Sequence, residues 1–261
     1  MSEIIKIKNL SFCYEKGKTV LQNLNAAFPE GKLIALIGKN GSGKSTLLEC
    51  ISGMNEFSGV VELDGRSIND YSINEFSKKL AYIPQQTQIN LDFTVREFIS
   101  FGRNPHVSLF GKLTDDDYLR IENNAKVCGI EKLLENDINK ISGGERQLAY
   151  IARALTQDAS VILMDEPAAF LDFGNQQKLF FILRQLIEKG KTIIFTTHNP
   201  NHLINLDCDI FSLIDGNLEK IESLTLEAVK KIYNDGDITE GQAFLFNYVF
   251  HLNHNYIRIG F

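Results

Sequence analysis

The chain reads as an α/β protein, a mainly parallel β-sheet with helices on both faces, and three observations carry that reading. The short runs Leu33-Ile34-Ala35-Leu36-Ile37, Val161-Ile162-Leu163-Met164 and Thr192-Ile193-Ile194-Phe195-Thr196 have the unbroken hydrophobicity of strands buried on both faces. Stretches with helical apolar spacing alternate with them, which is how parallel strands are joined. Between about residues 85 and 155 the texture turns helical throughout, an insertion between two halves of the α/β core.

In chain order, residues 3–14 alternate as a strand ending in Phe12 and Tyr14, and a turn at 15–18 leads into a second strand over 20–28. Pro29-Glu30-Gly31 turns the chain into the apolar run 33–37. A helix is expected after the glycine-rich stretch that follows. Glycines bound a short strand at 59–65, and Pro84 stops another at 80–83. Helical spacing marks 94–101 and 115–129, where Asp115, Asp116 and Asp117 suit a first turn. Between them Gly102-Arg103-Asn104-Pro105-His106 reads as a loop. Leu148, Ile151, Ala152 and Leu155 mark the next helix, and Leu179, Ile182, Leu183, Leu186 and Ile187 another, closed by Lys189-Gly190. Past Gly216 the signal thins to a helix at 224–233 and β-like segments near 244–250 and 256–259.

Of 261 residues, 44 % are apolar, enough for a sizeable core without staples. No apolar run reaches the about 18 residues a membrane helix needs, and the first residues lack the layout of a signal peptide. Four scattered cysteines, Cys13, Cys50, Cys128 and Cys208, form no CxxC pair and read as free thiols of a reducing compartment. A net charge of −6 argues against nonspecific nucleic-acid binding and against an electrostatic anchor on anionic lipid. The expected location is the cytoplasm, with any membrane association made through a partner protein.

The run GKNGSGKST at 38–46, set between a strand and a helix, carries the chemistry. Gly38, Gly41 and Gly43 let the backbone wrap phosphates so that successive N–H groups point inward. Lys39, Asn40, Ser42 and Thr46 complete the loop. The helix starting near Lys44 adds the positive end of its dipole. Lys44 suits a bridge between β- and γ-phosphates, and the Ser45 hydroxyl suits a ligand position on Mg²⁺. The alternative is a glycine-rich turn with no ligand; the strand before it and the helix after it favour a nucleoside-triphosphate site. Asp165 and Glu166 end the buried run 161–164, where one carboxylate can hold Mg²⁺ and the other can deprotonate an attacking water. Strands also end in acidic surface residues for no catalytic reason, and it is the phosphate loop upstream that favours the catalytic role. In Ile141-Ser142-Gly143-Gly144-Glu145-Arg146-Gln147, Ser142 can cap a helix whose first N–H groups the glycines expose, a second anion-binding helix start.

GKNGSGKST, ISGGERQ and VILMDEP, in this order and at these separations, resemble the Walker A, signature and Walker B motifs of an ATP-binding-cassette (ABC) ATPase. Tyr14 is similar to the aromatic that stacks on adenine, Gln85 in YIPQ to the Q-loop glutamine, Asp172 in AFLD to the D-loop aspartate, and His198 in TTHNP to the switch histidine. The resemblance spans roughly residues 3–220. It implies a P-loop NTPase fold with a RecA-like core, an N-terminal antiparallel β subdomain and an inserted helical subdomain. The expected boundaries are 1–221 for the ATPase domain, with 1–86 and 156–221 as β subdomain and core and 87–155 as helical subdomain, then 222–261 as a C-terminal extension. It also implies ATP and Mg²⁺ as ligands and a head-to-tail homodimer, with Ser142, Gly143 and Gly144 gripping the γ-phosphate of the partner's ATP. In that scheme Glu166 is the general base, His198 holds the γ-phosphate, Gln85 senses Mg²⁺ and the attacking water, Lys44 clamps phosphate, and Asp172 couples the two sites. The metal ligands are Ser45, Gln85 and Asp165. Two departures stand out: Ile141 replaces the usual leucine, and Ala168-Ala169-Phe170 replaces Thr-Ser-Ala, removing two hydroxyls near the dimer face.

GRNPH at 102–106 is similar to a motif of the ATPases that serve iron–siderophore, haem and cobalamin importers. That resemblance implies a polytopic permease partner received in a groove lined by 86–93, 94–103 and 104–113, and indirectly an extracytoplasmic substrate-binding protein. The alternative is a soluble ATPase of iron–sulfur cluster assembly or another non-transport assembly. A nucleic-acid-handling ABC protein would carry coiled coils or fused cassettes, and a P-loop kinase would have no use for ISGGERQ. His106, His202, His251 and His254 lack metal-ligand spacing and read as structural or surface residues.

Overall fold

The computed structural model describes residues 2–14, 17–85, 92–108, 111–204 and 206–233. The expected β segments near 244–250 and 256–259, and His251 and His254, lie outside the described residues.

The chain opens with strands β1 (Glu3–Tyr14), β2 (Lys18–Pro29) and β3 (Leu33–Ile37), followed by α1 (Lys44–Ile51), β4 (Ser58–Leu63), β5 (Arg66–Ser67), α2 (Ile73–Lys79) and β6 (Leu80–Ile83). A helical run follows: α3 (Val95–Ser100), α4 (Asp115–Cys128) and α5 (Gly143–Gln157). Then come β7 (Val161–Met164), α6 (Phe173–Glu188), β8 (Thr192–Thr197), β9 (Asp209–Ile214), β10 (Asn217–Ile221) and α7 (Leu226–Tyr233). The strands form two sheets: an antiparallel one in the order β2-β1-β4-β5, and a six-stranded one in the order β10-β9-β3-β8-β7-β6. In the larger sheet every pairing is parallel except β9 with β10.

Period-two side-chain alternation along the parallel strands divides the interior into two cores. Leu33, Ala35 and Ile37 of β3, with Ile162 and Met164 of β7 and Ile193 and Phe195 of β8, face α3, α4, α5 and α6. Their neighbours Ile34 and Leu36, Val161 and Leu163, and Ile194 face α1 and the antiparallel sheet. Both faces are covered, which is why these strands are apolar without interruption.

Three features depart from the sequence reading. The hairpin β9–β10 and helix α2 were not anticipated. Asp215 (φ 48°) and Gly216 (φ 76°) both take left-handed backbone at its turn, as a two-residue primed turn requires. Helix α2 is started by a capping box in which Ser72 Oγ accepts from the Glu75 N–H and Glu75 accepts from the Ser72 N–H. The third is GRNPH, which is a 3-10 helix (Phe101–His106) and not a loop. Arg103 Nε donates to Asp117 Oδ1 at 2.7 Å and its Nη1 to the Thr156 carbonyl at 3.0 Å, both buried. Gly102 is needed because a Cβ there would sit 2.3 Å from the Arg153 carbonyl. The motif therefore packs the helical run together. An open groove of about 590 Å³ lies beside α3, lined by 92–94, Glu97, 135–137 and Lys140.

Candidate functional site

Parallel register gathers the site. Ile37 pairs with Thr197, Met164 with Phe195 and Ile83 with Met164, so the segments leaving the carboxyl ends of β3, β6, β7 and β8 are neighbours. Those segments carry the phosphate loop, Gln85, Asp165-Glu166 and His198. Ligands bind at this edge of open α/β sheets. A cleft of about 710 Å³ opens here, and Tyr14, Asn40, Gly41, Gly43, Lys44, Ser45, Thr46, Gln85, Glu166 and His198 line it.

The loop at 38–43 is shaped by its glycines. Gly41 (φ 78°) and Gly43 (φ 100°) are left-handed, and a Cβ on Gly38 would lie 2.6 Å from the Leu213 carbonyl. Gly43 is the N-cap of α1, so the first N–H groups of that helix open toward the cleft. Lys44 is buried and its ammonium donates to the carbonyls of Gly38 and Lys39, both at 2.8 Å. Burial holds its pKa below the ordinary lysine value, and the Glu166 and Asp165 carboxylates work against that shift. The Ser42 hydroxyl is buried without a hydrogen-bond partner, an orphan donor within the loop. The loop thus has a free donor, a buried cation and open amides, a set that fits a polyphosphate. Lys39, Asn40, Gly41 and Ser42 also flank a smaller hollow of about 320 Å³ against the β9–β10 turn.

Thr196 organises the acidic side of the cleft. Fully buried, its hydroxyl donates to Asp165 Oδ1 at 2.6 Å and accepts the Glu166 N–H at 2.7 Å. Glu166 is a non-glycine residue at φ 46°, backbone strain at the junction that aims its carboxylate at the cleft. Its Oε2 lies 2.6 Å from His198 Nδ1. Ser45, Gln85 and Asp165 supply hard oxygen donors, the chemistry Mg²⁺ takes, and with phosphate oxygens they would hold it. The Tyr14 ring stands at the cleft edge, half-exposed, its hydroxyl 3.2 Å from Thr46 Oγ1.

Ser142, Gly143 and Gly144 do not line this cleft among the described residues. They form a separate helix start. Ser142 Oγ accepts from the Glu145 N–H at 3.3 Å and Glu145 accepts from the Ser142 N–H at 2.8 Å. Arg146, unmarked in the sequence reading, donates to the carbonyls of Ile138, Asn139 and Ile141 and pins the approach to α5. Asp172 is the N-cap of α6, accepting from the Asn175 N–H at 2.8 Å. Thr196 was also missed: it opens the TTHNP run, but the reading of that run rested on His198 alone.

The ABC transporter family profile matches residues 21–169, and the chain belongs to that family, whose members are ATPases. It is 35 % identical over 222 residues to the iron(3+)-hydroxamate import ATP-binding protein of Bacillus subtilis, covering 83 % of this chain and 82 % of that one. It is 34 % identical over 221 residues to the ferric enterobactin transport ATP-binding protein of Escherichia coli, at 82 % of each chain. A bacterial ABC transporter cassette solved as a dimer superposes with a TM-score of 0.73 at 30 % identity, covering 84 % of this chain and 100 % of that one. The described residues contain no helix long and apolar enough to cross a membrane.

Proposed function

We propose that the chain is the ATP-hydrolysing, energy-coupling subunit of an importer for iron–siderophore, haem or cobalamin-type cargo. It works as a homodimer on the cytoplasmic side of the membrane, docked through its helical subdomain (87–155) on permease subunits that an extracytoplasmic binding protein feeds. The observation that carries this reading is the pair of separate helix starts, capped at Gly43 and at Ser142, each of which suits an anion. Two such sites on one chain close a two-fold dimer around two ATPs, each clasped by the phosphate loop of one protomer and by Ser142, Gly143 and Gly144 of the other. The importer relatives support the transport role. The core (1–86 and 156–221) would hold the nucleotide, and Tyr14 would stack on its base.

Within the closed site Glu166 would take the proton of the attacking water, and His198 would hold both that carboxylate and the γ-phosphate in line. Lys44 neutralises charge on the transferring group, Gln85 reports on the attacking water to the helical subdomain, and Asp172 lies where the two protomers meet. Mg²⁺, held by Ser45, Gln85 and Asp165, would supply charge neutralisation at the phosphates.

Replacing Glu166 with Gln keeps the shape and removes the base. Phosphate release is expected to fall by about 10²- to 10⁴-fold, and ATP is expected to shift the variant to a dimer in gel filtration. A variant that stays monomeric with saturating ATP would sink the sandwich.

A further inference from the structure

Helix α7 begins the C-terminal extension, and the proposed mechanism gives it no task. It is nonetheless built into the core: Val229 and Ile232 are buried with Leu224 in the larger core cluster, and the helix packs against β9. Lys231 pairs with Glu219 of β10 at 2.7 Å, tying the helix to the hairpin. This seating brings the last turn of α7 onto the segment that leaves β8, and there the Tyr233 hydroxyl donates to the main-chain carbonyl of His198.

The rest of that segment is held from within. Thr197 Oγ1 meets His202 Nδ1 at 2.9 Å and accepts the Asn199 N–H at 3.1 Å. Asn199 Oδ1 accepts the Asn201 N–H at 3.0 Å. These bonds shape the turn after His198. Tyr233 grips the histidine's own peptide from an element 35 residues away in sequence.

We propose that Tyr233 is a positioning residue for ATP hydrolysis: its phenol fixes the His198 peptide, and through it the imidazole that meets Glu166. The proposal rests on the roles given to His198 and Glu166 above. Burial and the Glu166 charge push the Tyr233 hydroxyl above the ordinary tyrosine range, so it stays protonated and remains a donor at any working pH. The imidazole itself is about half exposed, so few packing contacts hold it. A histidine that must face a carboxylate at 2.6 Å then depends on the fixity of its backbone. By this route the C-terminal helix becomes part of the hydrolytic apparatus without touching nucleotide.

The test compares the full-length chain with Tyr233→Phe and His198→Ala. Tyr233→Phe keeps the ring and its packing and deletes one donor. Its kcat is expected to fall by about three- to tenfold with KM for ATP unchanged, while the melting temperature drops by only the about 2–4 °C that one hydrogen bond is worth. A kcat loss that persists at temperatures far below the melting point, with KM unmoved, is not what a packing defect produces. Unchanged kcat in Tyr233→Phe beside a large loss in His198→Ala overturns the positioning role and leaves the site reading intact. A raised KM with unchanged kcat overturns it too. Full activity in His198→Ala removes the role assigned to the histidine, and the proposal falls with it.

Discussion

At the scale of single residues, His202 carries the clearest pH dependence. It packs 5.7 Å from the Phe180 ring, with Thr197 and Asn199 on its nitrogens. Burial, and secondarily the charge of His198, lower its pKa from 6.5 to about 4. An unfolded chain binds a proton at that position near pH 6.5, while the folded chain refuses it until about pH 4. The folded pKa is depressed, so the contribution is fully present above pH 6.5 and is lost as pH falls toward 4. Urea midpoints measured at pH 7, 5.5 and 4 are expected to fall steadily, and His202→Gln is expected to flatten that slope. Parallel slopes for the two proteins would remove His202 as the cause. Asp117 acts in a different window. The Thr114 N–H and hydroxyl and the Arg103 guanidinium hold its pKa to about 2, so its contribution drains away only below about pH 4.

Elements are joined here by side-chain bonds, and the link between the 3-10 helix Phe101–His106 and the start of α4 is the most buried ion pair among the described residues. Arg103 and Asp117 are each about nine-tenths buried, and Asp117 also closes the capping box on Thr114. Asp117→Asn keeps an acceptor for the cap but leaves the guanidinium buried without its counter-charge. That is expected to cost about 3 kcal/mol in urea denaturation. Arg103→Met combined with Asp117→Asn is expected to recover most of the loss, because the stranded charge is gone. Equal instability of the two variants would refute the unpaired charge as the cause. This link also explains why GRNPH reads as a loop. Its glycine and proline speak for irregular structure, and the partner that winds it is 14 residues away. The parallel strands were legible because burial on both faces demands unbroken apolar runs. Strand β10 was not: Asn217-Leu218-Glu219-Lys220-Ile221 lies at the sheet edge with a largely solvated surface, and only its pairing with β9 makes it a strand. The Asp215-Gly216 turn was the available signal. At the site, motif residues in the loops were legible from order and spacing. The bonds from Thr196 to Asp165 and from Tyr233 to His198 join positions 31 and 35 residues apart, and such pairings are not written in local spacing.

For the whole molecule, the proposed sandwich depends on surfaces that are open in a single protomer. Phe170 and Phe173 flank Asp172 and are 51 % and 76 % exposed, two apolar side chains open to solvent in the single protomer. The Phe170 carbonyl lies 3.4 Å from where a Gly144 Cβ would be, so Phe170 adjoins the start of α5, and it also lines the cleft. A two-fold dimer that closes over both features buries the pair twice, once from each protomer. Covering one phenylalanine is worth about 1.5 kcal/mol or more, so two symmetric copies of even one side chain contribute about 3 kcal/mol, roughly a hundredfold in the dimer dissociation constant. Phe173→Ser, placed in the Glu166→Gln background, is therefore expected to raise the ATP-dependent dimer dissociation constant by about a hundredfold in sedimentation velocity. ATP affinity of the isolated protomer is expected to stay the same, since Phe173 does not line the cleft among the described residues. An unchanged dimer constant would mean that the closed dimer leaves Phe173 in water. The protomers would then have to meet through a face other than the one that holds Asp172.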